Sequence, residues 1–123
     1  MSRDPSKLKV FHVADELVVE VYRATRGFPV EERYGLQAQL RRAAVSVPTN
    51  IVEGCARNSE RDYLHFLDVA INAASDVRYL LGLSARLGIL EKADQEPRVR
   101  NCDDLIHSVQ KLLSSLRNPQ PGA

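Results

Sequence analysis

The sequence predicts an all-α protein, an antiparallel up-down four-helix bundle, and three observations carry that expectation. Four segments repeat apolar residues at the helical period, and none alternates as a strand would. The breaks between the segments are short, as they are between antiparallel neighbours. At 123 residues the chain has the size of one domain, 1–123, able to bury a core without disulfides or metals.

The first helix is expected over residues 7–26. Phe11, Ala14, Val18, Val21 and Tyr22 make its apolar stripe, and His12, Glu16, Glu20 and Arg23 line another face. Gly27 offers a left-handed cap, and Phe28-Pro29 closes the helix.

The second is expected over residues 36–56, with Leu36, Leu40, Ala43, Val47, Ile51 and Gly54 in one stripe. Val45 and Val52, seven apart, mark a second stripe. Apolar residues on two sides ask for burial on two sides. Pro48 lies inside the segment and removes one backbone donor. Either one helix bends there or two shorter helices meet. The period stays in phase across the proline, which favours one bent helix.

The third helix is expected over residues 60–87, with Ser59 as cap and Asp62 three residues on. Tyr63, Phe66, Ala70, Ala73, Val77, Leu80, Ser84 and Leu87 keep helical spacing, Ala73, Ala74 and Ser75 permit close approach, and Gly88 ends the run. Leu64 and Ile71 lie off the stripe.

The fourth is expected over residues 97–117, after a polar loop near 92–96, with Pro97 in the first turn. Val99, Cys102, Ile106, Val109, Leu113 and Leu116 step as a bundle seam, with Leu105 and Leu112 beside it. Residues 118–123 are expected to be a loose tail.

A charged fraction of 27% and an apolar fraction of 44% suit a soluble globular protein. The net charge of +1 removes any whole-chain electrostatic argument for nucleic acid or membrane, so such an argument has to come from clustering. Met1-Ser2-Arg3-Asp4-Pro5 begins no apolar run, and no stretch is apolar for long enough to span a bilayer. A cytoplasmic protein is expected, with Cys55 and Cys102 as buried free thiols.

Candidate chemistry is sparse, and no enzymatic activity is expected. His12, His65 and His107 stand on different helices. Asp62 precedes His65 by three, half of a bundle metal motif whose other half is missing. No metal, cofactor or catalytic residue is expected. Glu53 reads either as an acid held in a pocket or as an ion-pair partner of Arg57 at i+4. Over positions 38–61 four arginines, Arg41, Arg42, Arg57 and Arg61, face two glutamates. They read either as solvated helix charge or as a phosphate-contacting patch.

The run from Val21 to Ala70 carries a resemblance. Its most specific parts are Phe28-Pro29, Glu32-Tyr34-Gly35-Leu36, Gln39-Leu40-Arg41-Arg42-Ala43-Ala44, Pro48 with Asn50-Ile51, and Glu53-Gly54. Arg57-Asn58-Ser59, Asp62-Tyr63 and Phe66-Leu67 complete it. The chain resembles the bacterial four-helix-bundle proteins encoded within intervening sequences of 23S rRNA genes, over residues 8–116. Valine at 52 and cysteine at 55 depart from the alanine and aromatic usual there. The resemblance implies a ring-shaped homopentamer. Through a related accessory variability protein of diversity-generating retroelements, it also implies binding of RNA or DNA and of an enzyme partner such as a reverse transcriptase. Arg41, Arg42, Arg57 and Arg61 are the candidate nucleic-acid contacts. Val45, Val52, Leu64 and Ile71 are the candidate subunit interface.

Overall fold

A computed structural model describes residues 3–118. It holds four long helices: α1 (Lys9–Thr25), α2 (Leu36–Cys55), α3 (Glu60–Arg86) and α4 (Lys92–Arg117), with short 3-10 turns at Pro5–Lys7 and Val30–Glu32. There is no strand among the described residues. Each helix packs on its neighbour in the chain, and α4 returns onto α1, so the four close into a bundle. Of the expected loose tail at 118–123, Asn118 is described and donates its amide to the Ser114 carbonyl at 2.9 Å, and residues 119–123 lie outside the described residues.

The core explains which face each helix turns inward. Val10, Ala14, Leu17, Val21 and Thr25 are the buried side of α1. Ala14 and Val21 are buried as expected, while Val10 and Leu17 take the places expected for Phe11 and Val18. Phe11 and Val18 are half-buried at the edge and Tyr22 is exposed. On α2 the buried side includes Leu40, Ala44, Val47, Pro48, Ile51, Gly54 and Cys55. Tyr63, Leu67, Ala70, Ala74, Val77 and Leu81 do the same on α3, and Cys102, Leu105, Val109 and Leu113 on α4. Leu87, expected at the end of the α3 stripe, is exposed instead, and Phe66 is only half-buried. In α4, Leu105 is fully buried, while Val99, Ile106 and Leu116 only flank the core.

Two helix ends differ from expectation. Gly27 is not left-handed; the sole positive-φ glycine among the described residues is Gly88, at φ 73°. α1 instead ends in αR geometry at Arg26, and Phe28 donates its amide to the Thr25 carbonyl at 3.1 Å while its ring is buried. Gly88 sits just past α3. Its amide reaches the Ala85 carbonyl at 3.0 Å and Ile89 reaches Ser84 at 2.9 Å, the paired bonds of a Schellman end. The second correction concerns α4, which starts at Lys92 rather than 97. Pro97 lies inside the helix, and residues 92–96 are helical, not a loop. The proline is tolerated because the carbonyl it leaves without a donor, that of Ala93, is in an exposed stretch where water can bind it.

The helix α2 runs unbroken through Pro48. Beside the missing amide, Thr49 Oγ1 donates to the Val45 carbonyl and Asn50 Nδ2 to that of Ser46, each at 2.7 Å. These side-chain bonds hold the turn that the proline ring disturbs. At Gly54 α2 and α3 approach each other closely. A Cβ there would meet Phe66 Cβ at 3.0 Å and Tyr63 Cδ1 at 3.3 Å.

Candidate interaction surface

The outer side of α2 carries apolar residues that have no use inside the bundle. The Glu32 carboxylate accepts the Leu36 amide at 3.0 Å, which fixes where α2 begins and hence its rotation. With Leu40, Ala44, Val47 and Ile51 turned inward, helical period forces Val45 and Val52 outward. Each is 41% exposed. They line an open groove of about 350 Å³ between α1 and α2, with Phe11, Val18 and Pro48 as floor and Asp15, Thr49 and Glu53 as rim. Leu64 and Ile71 are not in this groove. Both are half-buried on α3, and Ile71 borders a separate cleft against α4 with Asp68 and Leu113. The four candidate interface residues therefore fall on two sides of the bundle.

The four candidate arginines are also divided. Arg41 donates from Nε to Thr25 Oγ1 at 2.9 Å, and its guanidinium lies 4.4 Å from the Tyr22 ring centroid. It fastens α2 to α1. Arg57 pairs with Glu53 at 2.7 Å and stacks 4.9 Å from the Phe66 ring. That settles Glu53 as an i,i+4 ion-pair partner, half-exposed rather than held in a pocket. Arg42 and Arg61 are exposed. The helical rise sets Arg41 about 20 Å from the far end of α2, where Arg57 and Arg61 lie. Two pairs at two ends replace one cluster.

Three arginine contacts leave no short-range signature in the sequence. Arg98, with its side chain 14% exposed, donates to the Glu20 carbonyl at 3.1 Å, to the Glu20 carboxylate at 3.1 Å and to the Asp94 carbonyl at 2.8 Å. Arg3 lies 3.8 Å over the Tyr63 ring, pairs with Glu60 at 3.6 Å and donates its amide to the Cys55 carbonyl at the end of α2. Arg117 meets Asp68 at 2.6 Å across α3 and α4.

The histidines do not converge. His12 donates to the Ser6 carbonyl at 2.6 Å, His65 rests edge-on against Phe66, and His107 is exposed. No group of three His, Cys, Asp or Glu side chains among the described residues could hold a metal ion. Cys55 and Cys102 are buried free thiols, and burial pushes the Cys102 thiol up to about 12 and the Cys55 thiol upward as well. No helix among the described residues is long and apolar enough to cross a membrane.

These features define an all-α four-helix-bundle protein whose distinguishing surface is a groove, not a cluster of reactive groups. The chain belongs to the 23S rRNA-intervening sequence protein family, whose model matches residues 6–115. Its fold is similar to the crystal structure of a protein of unknown function from the S23 ribosomal protein family of Bacteroides thetaiotaomicron. The TM-score is 0.79 at 18% identity, over 85% of this chain and 95% of that one. No curated protein matches the chain. Neither description indicates an enzymatic family.

Proposed function

We propose that the chain is a non-enzymatic scaffold that assembles with copies of itself into a ring. The observation that carries this reading is the groove between α1 and α2, with Val45 and Val52 each 41% exposed on its wall. An apolar strip of this kind is uncommon on a lone soluble subunit. The number five comes from the family resemblance. The ring offers repeated surfaces to a partner, which is an adaptor's role. Light scattering of the wild-type protein at micromolar concentration should give a mass near five chains. Val45→Asp/Val52→Asp should give one chain with undiminished helical circular dichroism. A wild-type monomer would overturn the reading.

Binding of RNA or DNA is the second reading, supported by exposed Arg42 and Arg61, which make no ion pair among the described residues. Arg41 and Arg57 already serve partners within the chain. The two pairs also lie farther apart than the Debye length of about 8–10 Å, so their fields add little within one subunit. Binding would rest on phosphate contacts repeated around the ring and on counterion release, so it should be sequence-tolerant and salt-dependent, and Arg42→Glu/Arg61→Glu in an intact ring should abolish it. No binding of labelled RNA or DNA by wild type at low salt leaves the scaffold alone standing.

A further inference from the structure

We infer that the groove between α1 and α2 receives the outer stripe of α3 from a second copy of the chain, head to tail. The inference rests on the self-assembly reading and names what fills the groove.

The stripe is built from Tyr79, Leu83 and Leu87, spaced i, i+4, i+8, the pattern by which one helix anchors in the groove of another protein. Tyr79 is 60% exposed and Leu87 is 59% exposed, while Leu83 is half-buried behind them. Tyr79 borders one hollow shared with α2 and a second shared with α4, so it stands as a ridge between them. Arg86 lies on the same stripe, 5.9 Å from the Tyr79 ring centroid, and has no carboxylate partner among the described residues. The stripe is therefore a protruding apolar row with a cation on it.

The groove has the opposite character. Val45 and Val52 stand two helical turns apart along its wall, matching the two-turn span from Tyr79 to Leu87. Its rim carries the carboxylate of Asp15, which has no cation partner among the described residues, beside Glu53, which is paired with Arg57. Concave apolar surface with acid at the edge meets convex apolar surface with base at the edge. Asp76 is the one acid beside Tyr79, and it borders the hollow on the α2 side together with Arg42.

The fold decides between a two-fold pair and a head-to-tail contact. A two-fold pair through the groove would bring the unpaired Asp15 carboxylates of both copies together and leave Tyr79 and Leu87 in water. The head-to-tail contact covers both surfaces and opposes unlike charges. Within one chain α3 neighbours α2 and α4 and lies diagonally from α1, so it cannot fill its own groove. Groove and stripe lie on different and non-opposite sides of the bundle, so successive copies turn about an axis and can close.

Oxidative cross-linking tests the pairing, because Cys55 and Cys102 are buried and stay silent in the folded protein. Val45→Cys/Tyr79→Cys should yield, under mild oxidation, a ladder of covalent species at multiples of one chain. Neither Val45→Cys nor Tyr79→Cys alone should cross-link. Cross-linked pairs from Val45→Cys alone would show groove against groove and overturn the inference. So would an absence of any ladder in a double variant that light scattering shows to be assembled. A wild-type protein that is a monomer by light scattering fails the self-assembly reading itself, and the inference with it.

Discussion

Cys102 is a small buried residue whose chemistry is set entirely by its surroundings. Removal from water disfavours the thiolate, and the nearby Asp103 charge adds to the effect against a weaker pull from Arg78. An unfolded chain gives up this proton near pH 9, whereas the folded chain keeps it to about pH 12. The raised pKa therefore favours the fold fully below pH 9, and that advantage is lost as pH rises between these limits. The slope is about 1.4 kcal/mol per pH unit for one such group. Burial also raises Tyr63 and Cys55, which steepens the same alkaline decline. Urea unfolding of Cys102→Ala at pH 8 and pH 10.5 should show a smaller loss between the two than wild type does. An equal loss would mean that other groups account for the decline. The same burial predicts that thiol reagents modify Cys102 only after unfolding.

The two glycines that follow α1 and α3 look alike in sequence and differ in structure. Gly88 holds φ 73°, so Gly88→Ala should cost about 1 kcal/mol. Gly27 has an ordinary backbone and open space around it, so Gly27→Ala should be neutral or stabilise by about 0.5 kcal/mol. Thermal unfolding of the two variants checks the contrast, and a loss at both positions would contradict it. This pair shows where sequence reading stops. Periodicity located four helices, and the bounds of α2 and α3 came within a residue or two, because Ser59 does accept the Asp62 amide and the Schellman end does follow Arg86. A glycine's conformation depends on what the next residues pack against, and Phe28 turning into the core decided the end of α1. Pro97 reads as a first-turn residue because a proline suits that position far better than the helix interior, where it loses a backbone bond, and the exposed second turn of α4 tolerates that loss. The second stripe of α2 was legible in full, since Val45 and Val52 do face outward. Leu64 and Ile71 lie on another side of the bundle from Val45 and Val52, and no local pattern shows this, because which groove a residue borders depends on the neighbouring helix. The arginine patch divided for the same reason: Tyr22, Thr25 and Phe66, which hold Arg41 and Arg57, are not local signals for a guanidinium.

At the scale of the whole molecule, Arg98 closes the bundle by joining the last helix to the first. Its three hydrogen bonds to Glu20 and Asp94 are made with the side chain mostly out of water, where charged hydrogen bonds are worth about 1.5–3 kcal/mol. Arg98→Met keeps the apolar stem and removes every one of these bonds. It should lower the unfolding free energy by about 2 kcal/mol in urea titration, while Arg23→Met, at an exposed pair on the same Glu20, should change it by less than about 0.5 kcal/mol. Similar losses at both sites would show that the seam owes little to its guanidinium. The seam has a further consequence in time. Three of the four helix contacts join neighbours in the chain and need only short loops to close, whereas Arg98 and Glu20 are 78 residues apart. Long closures come late in folding, so contacts across this seam are expected to be largely absent from the transition state. Arg98→Met should then leave the refolding rate nearly unchanged and speed unfolding about thirtyfold, the kinetic image of about 2 kcal/mol. How long a folded molecule persists would be set at the closure between its first and last helices, and how quickly it forms would be set elsewhere.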